Sequence, residues 1–398
     1  MSISKKVGGI APSLTLEITA KAKKMKAEGV SVIGFGAGEP DFNTPDYIVE
    51  SAKKALDIGF TKYTPASGTT ELKKAICEKF EKDNGLKYTT DQIVVSNGAK
   101  GSLFHAIAAL VDEGDEVIIP SPYWLTYPEL VKLAGGKCVF VKCGAESGCK
   151  MTAKAFEKNI TDKTKLLILN SPNNPTGAVY GKEELSAIAK VAEKYGLFVI
   201  SDEIYEKLVY SGEKHYSIAA LSDYMKEHTI VINGVSKSYS MTGWRIGYLA
   251  APVKIAKAIG SMQSHTASNP CSIAQYASVA AITDEKGDEF ILKMQKIFDD
   301  RRKYMIGRIR EMKGLSCLEP KGAFYVFVDV SSYYGKTFDG EIINGSLSFA
   351  GSALKRGVAL IPGIAFGDDN CVRLSYAISK EDIKEGLDRI ESFLKELA

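Results

Sequence analysis

Lys165-Leu166-Leu167-Ile168-Leu169 runs into Asn170-Ser171-Pro172-Asn173-Asn174-Pro175-Thr176-Gly177. Glu183 to Lys194 follows, and then Leu197-Phe198-Val199-Ile200, ending in Ser201-Asp202-Glu203-Ile204-Tyr205. The two apolar runs are too short for helices and show no polar alternation, so they predict strands buried on both faces. The segment between them predicts an amphipathic helix, and a strand–helix–strand order predicts parallel pairing. The same unit recurs on both sides. Gln92-Ile93-Val94-Val95 leads through Gly98 into a helical stretch from Ser102 to Leu110. Glu116-Val117-Ile118-Ile119 ends at Pro120-Ser121-Pro122, and Thr229-Ile230-Val231-Ile232 runs into polar residues. The expected fold is α/β, a mostly parallel sheet covered by helices.

From about Asp284 the pattern changes to long helices around a short strand group: Gly322 to Val330, Val358-Ala359-Leu360-Ile361 and Val372-Arg373-Leu374. A second, smaller α+β unit is expected there. The segment up to Thr44 is expected to pack with it, giving a large domain at 45–283 and a small one at 1–44 with 284–398. A chain of 398 residues is longer than one hydrophobic core supports, which agrees with two units.

Charged residues are 25% of the chain and the charge balance is 51 − 48 = +3. That balance points to neither nucleic acid nor a membrane surface as partner. No apolar run reaches the roughly 18 residues of a membrane helix, and Met1-Ser2-Ile3-Ser4-Lys5-Lys6 lacks a signal-peptide core, so a cytoplasmic protein is expected. The seven cysteines form no Cys-x-x-Cys, and His105, His215, His228 and His265 stand beside no ligand-like partner. Reduced thiols serving as small packing residues, and no metal, are the expectation.

In such sheets ligands bind at the carboxyl ends of the strands. Five of these ends carry unusual chemistry: Ser96-Asn97-Gly98-Ala99-Lys100, Pro122-Tyr123-Trp124, Asn170 to Gly177, Asp202 to Tyr205, and Ser236-Lys237. Singly, each has an ordinary explanation. Gly98 and the amides after it form a helix start that suits an anion, or merely a turn. Asp202 needs a donor or cationic partner if buried, but could be a helix cap. Lys237 could be a nucleophilic amine or a solvated charge. Arg245 suits bidentate phosphate binding. Asn174 could serve a rigid turn, Trp124 the core, and Arg373 a strand surface. Together, an anion site, a carboxylate, an amine, an arginine and a flat aromatic match what pyridoxal phosphate requires.

At this point the sequence resembles the fold-type I, class I aminotransferases, specifically the aspartate aminotransferase group in its bacterial branch. Gly36-Ala37-Gly38-Glu39-Pro40-Asp41-Phe42, Lys62-Tyr63-Thr64-Pro65, Ser236 to Gly247, Val372-Arg373-Leu374-Ser375-Tyr376 and the strand-end motifs above occur in family order along essentially the whole chain. The resemblance implies a seven-stranded-type sheet and pyridoxal 5'-phosphate as cofactor. It implies that Lys237 holds the cofactor aldehyde as a Schiff base and then shuttles the proton, and that Asp202 keeps the pyridine nitrogen protonated. Asn174 and Tyr205 would bond the phenolic oxygen, and Trp124 would stack on the ring. The backbone of Ala99 and Lys100 would hold the phosphate, with Ser236, Ser238 or Arg245. Tyr63 would reach the phosphate of a neighbouring subunit, implying a homodimer with sites at the interface. Arg373, near the Gly38 backbone, would clamp the substrate α-carboxylate.

The implied reaction is ping-pong transfer of an amino group between an L-amino acid, aspartate first, and 2-oxoglutarate; the partners are small amino and 2-oxo acids. Gln263-Ser264-His265-Thr266-Ala267-Ser268 lacks the arginine that some relatives use for the distal carboxylate. The resemblance gives that task to Lys100. Broader, aromatic or prephenate specificity and an amino-acid lyase share the same cofactor residues. A transcription regulator with an aminotransferase-like domain is disfavoured, since Gly38-Glu39-Pro40 comes early and no basic arm is present.

Overall fold

The computed structural model describes residues 3–397. Its central sheet contains β1 (Ile93–Asn97), β2 (Glu116–Ser121), β3 (Lys137–Lys142), β4 (Thr164–Asn170), β5 (Phe198–Asp202), β6 (Thr229–Gly234) and β7 (Ile246–Ala250). The order across the sheet is β1-β7-β6-β5-β4-β2-β3, and β7 alone runs against the others. The helices include α1 (Leu14–Ala27), α2 (Gly98–Leu110), α3 (Lys182–Tyr195) and α4 (Lys286–Glu311).

The expected strands at 92–95, 116–119, 165–169, 197–200 and 229–232 are present, most with ends displaced by a residue or two. β3 and β7 are additions to the expected set. β3 is an edge strand with Phe140 exposed, and β7 lies hidden behind the Thr242-Gly243-Trp244-Arg245 motif.

Helices cover both faces of the sheet. α3 buries Leu185, Ile188, Ala189, Val191 and Ala192 against Leu167, Leu169 and Val199. Glu184 accepts from the Gly181 amide at 2.7 Å at its start, and Gly196, in the left-handed conformation, ends it. On the other face α2 packs Leu103, Ala106 and Ile107 against Val94, Ile119 and Ile168. Each fully buried aliphatic side chain of this kind contributes about 1.5–3 kcal/mol of transfer free energy.

Beyond α4 lies an antiparallel sheet in which β8 (Tyr325–Asp329) pairs with β9 (Cys371–Ser375). Ile33–Gly34 pairs in parallel with Val358–Ala359, and α1 packs Ala22 on Val32, Leu354 and Ala359. The N-terminal segment thus joins the C-terminal strands by direct pairing. No described helix is long and apolar enough to cross a membrane.

Two local expectations are corrected. Cys271 is exposed rather than packed. His215 does have acidic neighbours: its Nε2 lies 3.0 Å from Glu203, with Glu206 close by. Its two carboxylates already have hydrogen-bond and charge partners, while the buried His215 Nδ1 has none among the described residues. Glu203 accepts from Ser201 and Ser217 at 2.8 and 2.6 Å, and Glu206 is paired with the Lys79 ammonium and with Asn84.

Candidate active site

The carboxyl ends of β1, β4, β5 and β6 open into one cavity of about 590 Å3, closed on its outer side by α1 and by Arg373 of β9. Gly38, Ala99, Lys100, Trp124, Asn174, Asp202, Tyr205, Ser236, Lys237, Arg245 and Arg373 all line it. Two expected residues do not. Ser238 is buried outside the cavity wall. Tyr63 is 90% exposed on the surface of the single chain.

Asp202 ends β5 and is 3% exposed. Its Oδ2 accepts from the Tyr127 hydroxyl at 2.7 Å and its Oδ1 from the Ile204 amide at 3.3 Å. Burial pushes its carboxyl up to about 6, against the pull of these donors and of Lys237. Lys237 sits in the turn after β6, half-buried, and its Nζ donates to the Gly38 carbonyl at 2.6 Å. Burial pushes its ammonium down to about 8, helped by Arg245 and Arg373 and opposed by Glu39 and Asp202. An amine so poised is part-neutral near physiological pH, the condition for a nucleophile or proton carrier.

The β4 turn is locked from within. The Asn170 Nδ2 donates to the Asp202 carbonyl at 2.9 Å, and its Oδ1 accepts from the Asn174 amide at 2.9 Å. The Asn174 Oδ1 accepts from Arg373 at 2.9 Å, which leaves its Nδ2 group without a protein acceptor among the described residues. Arg373 is 2% exposed and also donates to the Gly36 carbonyl at 3.2 Å, whereas the Gly38 carbonyl accepts from Lys237. Its guanidinium lies over the Tyr325 and Phe366 rings at 4.3 and 5.0 Å, and its buried Nε has no partner among the described residues. A cation held flat with spare N–H groups is built for a carboxylate.

At the opposite end Arg245 occupies the left-handed region, φ 58°, and donates to the Thr242 carbonyl at 2.7 Å. That backbone costs of order 1–3 kcal/mol, and it brings the guanidinium onto the α2 N-terminus. A Cβ at Gly98 would stand 2.3 Å from the Arg245 guanidinium on a backbone at φ 72°, so a side chain there is strained and displaces Arg245. The first residues of α2, Ser236 and Arg245 line the same end of the cavity, donor groups of the kind that can hold an anion. Lys100 lies with its Nζ 4.9 Å above the Trp124 ring, and burial and Arg245 hold its ammonium below the usual lysine range.

Tyr127 and Tyr325 join the site without having been marked by any motif. Tyr127 stands three residues beyond Trp124, its amide bonded to the Trp124 carbonyl at 3.0 Å, a spacing that could have flagged it. Tyr325 lies in an ordinary apolar strand with nothing in the sequence to distinguish it.

The family Aminotransferase class I and II matches residues 30–390. The chain belongs to the class I and II aminotransferases. This aminotransferase is 47% identical over 399 residues to the aspartate aminotransferase of Bacillus subtilis, with 99% of each chain covered. It is 46% identical over 396 residues to a probable aspartate/prephenate aminotransferase of Aquifex aeolicus, again with 99% of each covered. Among solved structures, the aspartate aminotransferase of Rhizobium meliloti superposes with a TM-score of 0.96 at 41% identity, covering 100% of both chains. The fold is therefore that of the fold-type I aminotransferases.

Proposed function

We propose that this aminotransferase holds pyridoxal 5'-phosphate between Lys237, Asp202 and the α2 N-terminus, and moves the amino group between L-aspartate and 2-oxoglutarate. The observation that carries the reading is the placement of a half-buried amine, a buried carboxylate and an unsaturated arginine around one cavity. The donors fit the group: a dianion suits the glycine-backed cradle of Gly98 and Arg245, and a ring nitrogen suits the Asp202 carboxylate. Bound there, the cofactor supplies an aldehyde and an electron-withdrawing ring.

The chain's own residues do the rest. Lys237 is the attachment point and carries the proton to and from the substrate Cα. Asp202 holds the proton on the ring nitrogen, and Tyr127 keeps the carboxylate turned toward it. Asn174 and Tyr205 donate to the phenolic oxygen, and Trp124 stacks on the ring. The Ala99 and Lys100 amides, Ser236 and Arg245 hold the phosphate. Arg373 binds the α-carboxylate, and Lys100 takes the distal one. Tyr63 serves the phosphate site of a second copy, so the working unit is a homodimer, with its two domains divided at 44/45 and 283/284. The cytoplasm is its proposed location.

Substrate choice rests on Lys100. Truncating a charged partner in a desolvated site costs about 2–5 kcal/mol. Lys100→Ala should lower kcat/KM for aspartate far more than for phenylalanine at saturating cofactor. An equal loss for both removes Lys100 from recognition. A broader range is the second reading, favoured by the apolar Leu16, Ile18 and Ala22 that α1 places on the wall beside its polar Thr15, Thr19, Lys23 and Lys26.

A further inference from the structure

The Tyr205 and Tyr325 hydroxyls lie 3.0 Å apart, both side chains are buried, and both line the cavity. Neither hydroxyl has another protein partner among the described residues. Two hydroxyl protons therefore share one internal bond, and one O–H remains for whatever occupies the cavity.

The surroundings decide which one remains. The Arg373 guanidinium lies over the Tyr325 ring at 4.3 Å, and a cation there makes that phenol the better proton donor. Burial raises both phenols and Arg373 pulls both down; Tyr205 is raised further by its Tyr325 partner and, least, by the Asp202 carboxylate. The strand geometry holds the asymmetry in place: Tyr325 and Arg373 sit on β8 and β9, which are paired in register, Tyr325 with Ser375 and Phe327 with Arg373.

We propose that Tyr325 donates to the Tyr205 oxygen and so commits the Tyr205 O–H to the cavity, as a donor to an anionic oxygen of the bound cofactor. Tyr325 is then a positioning residue. A hydroxyl that accepts one bond becomes a stronger donor in the next, so Tyr325 strengthens the Tyr205 contact without touching the cofactor itself. Its ring also supports the Arg373 guanidinium, which places one residue between the carboxylate clamp and the proton balance of the cofactor. The inference rests on pyridoxal phosphate occupying this cavity.

The test is a pH titration of the visible absorbance of the pyridoxal-phosphate-loaded protein, in wild type, Tyr325→Phe, Tyr205→Phe and the double variant. Phenylalanine keeps a ring beneath Arg373. Weakening a charge-assisted bond by its cooperative share, about 10–30%, should raise the midpoint by roughly 0.1–0.7 pH unit in Tyr325→Phe. Tyr205→Phe should shift it further, and adding Tyr325→Phe to Tyr205→Phe should change nothing more. An unmoved midpoint in Tyr325→Phe, or the same increment in both backgrounds, overturns the proposal while leaving the cofactor assignment standing. A protein that develops no visible band with the cofactor overturns the assignment and this inference together.

Discussion

Lys237 and Asp202 are ionisable groups held away from their ordinary titration ranges, one down to about 8 and the other up to about 6, both chiefly by burial. Lys237→Ala should still bind the cofactor non-covalently yet lose several orders of magnitude in turnover, since attachment point and proton carrier vanish together. Near-normal steady-state activity would overturn the assignment. Asp202 carries a second consequence. A carboxyl whose folded value lies above its unfolded one binds more protons in the native state, so its contribution to stability falls as pH rises from about 4 through about 6. In the cofactor-free protein, Asp202→Asn should therefore be more stable at pH 8 by about 2–3 kcal/mol, at about 1.4 kcal/mol for each pH unit separating the two values, and show no gain at pH 4. Denaturant melts at the two pH values check this. The same variant, loaded with cofactor, should deprotonate substrate far more slowly. Most of these residues are legible in sequence because motifs at strand ends mark them: Asn174 in its Pro-rich turn, Arg245 behind Gly243-Trp244, Arg373 before Leu374-Ser375-Tyr376. Tyr127 and Tyr325 are not, since a tyrosine in a helix or a buried strand looks like core until its hydroxyl partner is seen.

At the scale of elements, the continuous apolar strands are readable because burial on both faces forbids polar alternation, and β4, β5 and β6 are buried along almost their whole length. β3 is hidden because an edge strand faces solvent on one side, and its Lys137-Cys138-Val139-Phe140-Val141-Lys142 alternates weakly. The start of α2 reads four residues late, at Ser102, because Gly98 and Gly101 look like turn residues. The absence of a side chain at Gly98 instead lets Arg245 press onto the helix end, and its absence at Gly247 lets β7 do the same. Gly98→Ala puts a Cβ into the Arg245 guanidinium on a backbone at φ 72°, costing about 1–2 kcal/mol in strain alone. Cofactor affinity should fall at least tenfold, read as the dissociation constant from a fluorescence titration, with Arg245 displaced from the cradle. Unchanged affinity would mean that the phosphate is held elsewhere.

For the whole molecule, pairing of Ile33–Gly34 with Val358–Ala359 joins the N-terminal segment to strands more than 300 residues away, as the early helical stretch suggests. What no single chain displays is the destination of Tyr63, which is exposed to solvent. If it completes the site of a second copy, Tyr63→Ala and Lys237→Ala complement each other. Mixed and allowed to exchange, the two impaired proteins should gain activity above the sum of the separate proteins, up to about a quarter of wild type from the mixed dimers, because each mixed dimer assembles one intact site. Failure to recover activity despite proven exchange places Tyr63 outside the partner's site. The central claim, amino transfer by a lysine-bound cofactor, is met most directly by a single-turnover experiment. Stoichiometric L-aspartate is added to the loaded protein without an acceptor. The account predicts bleaching of the visible band, one equivalent of oxaloacetate per site, no ammonia, and full return of the band on adding 2-oxoglutarate. Release of ammonia, or a band that aspartate leaves untouched, would contradict it.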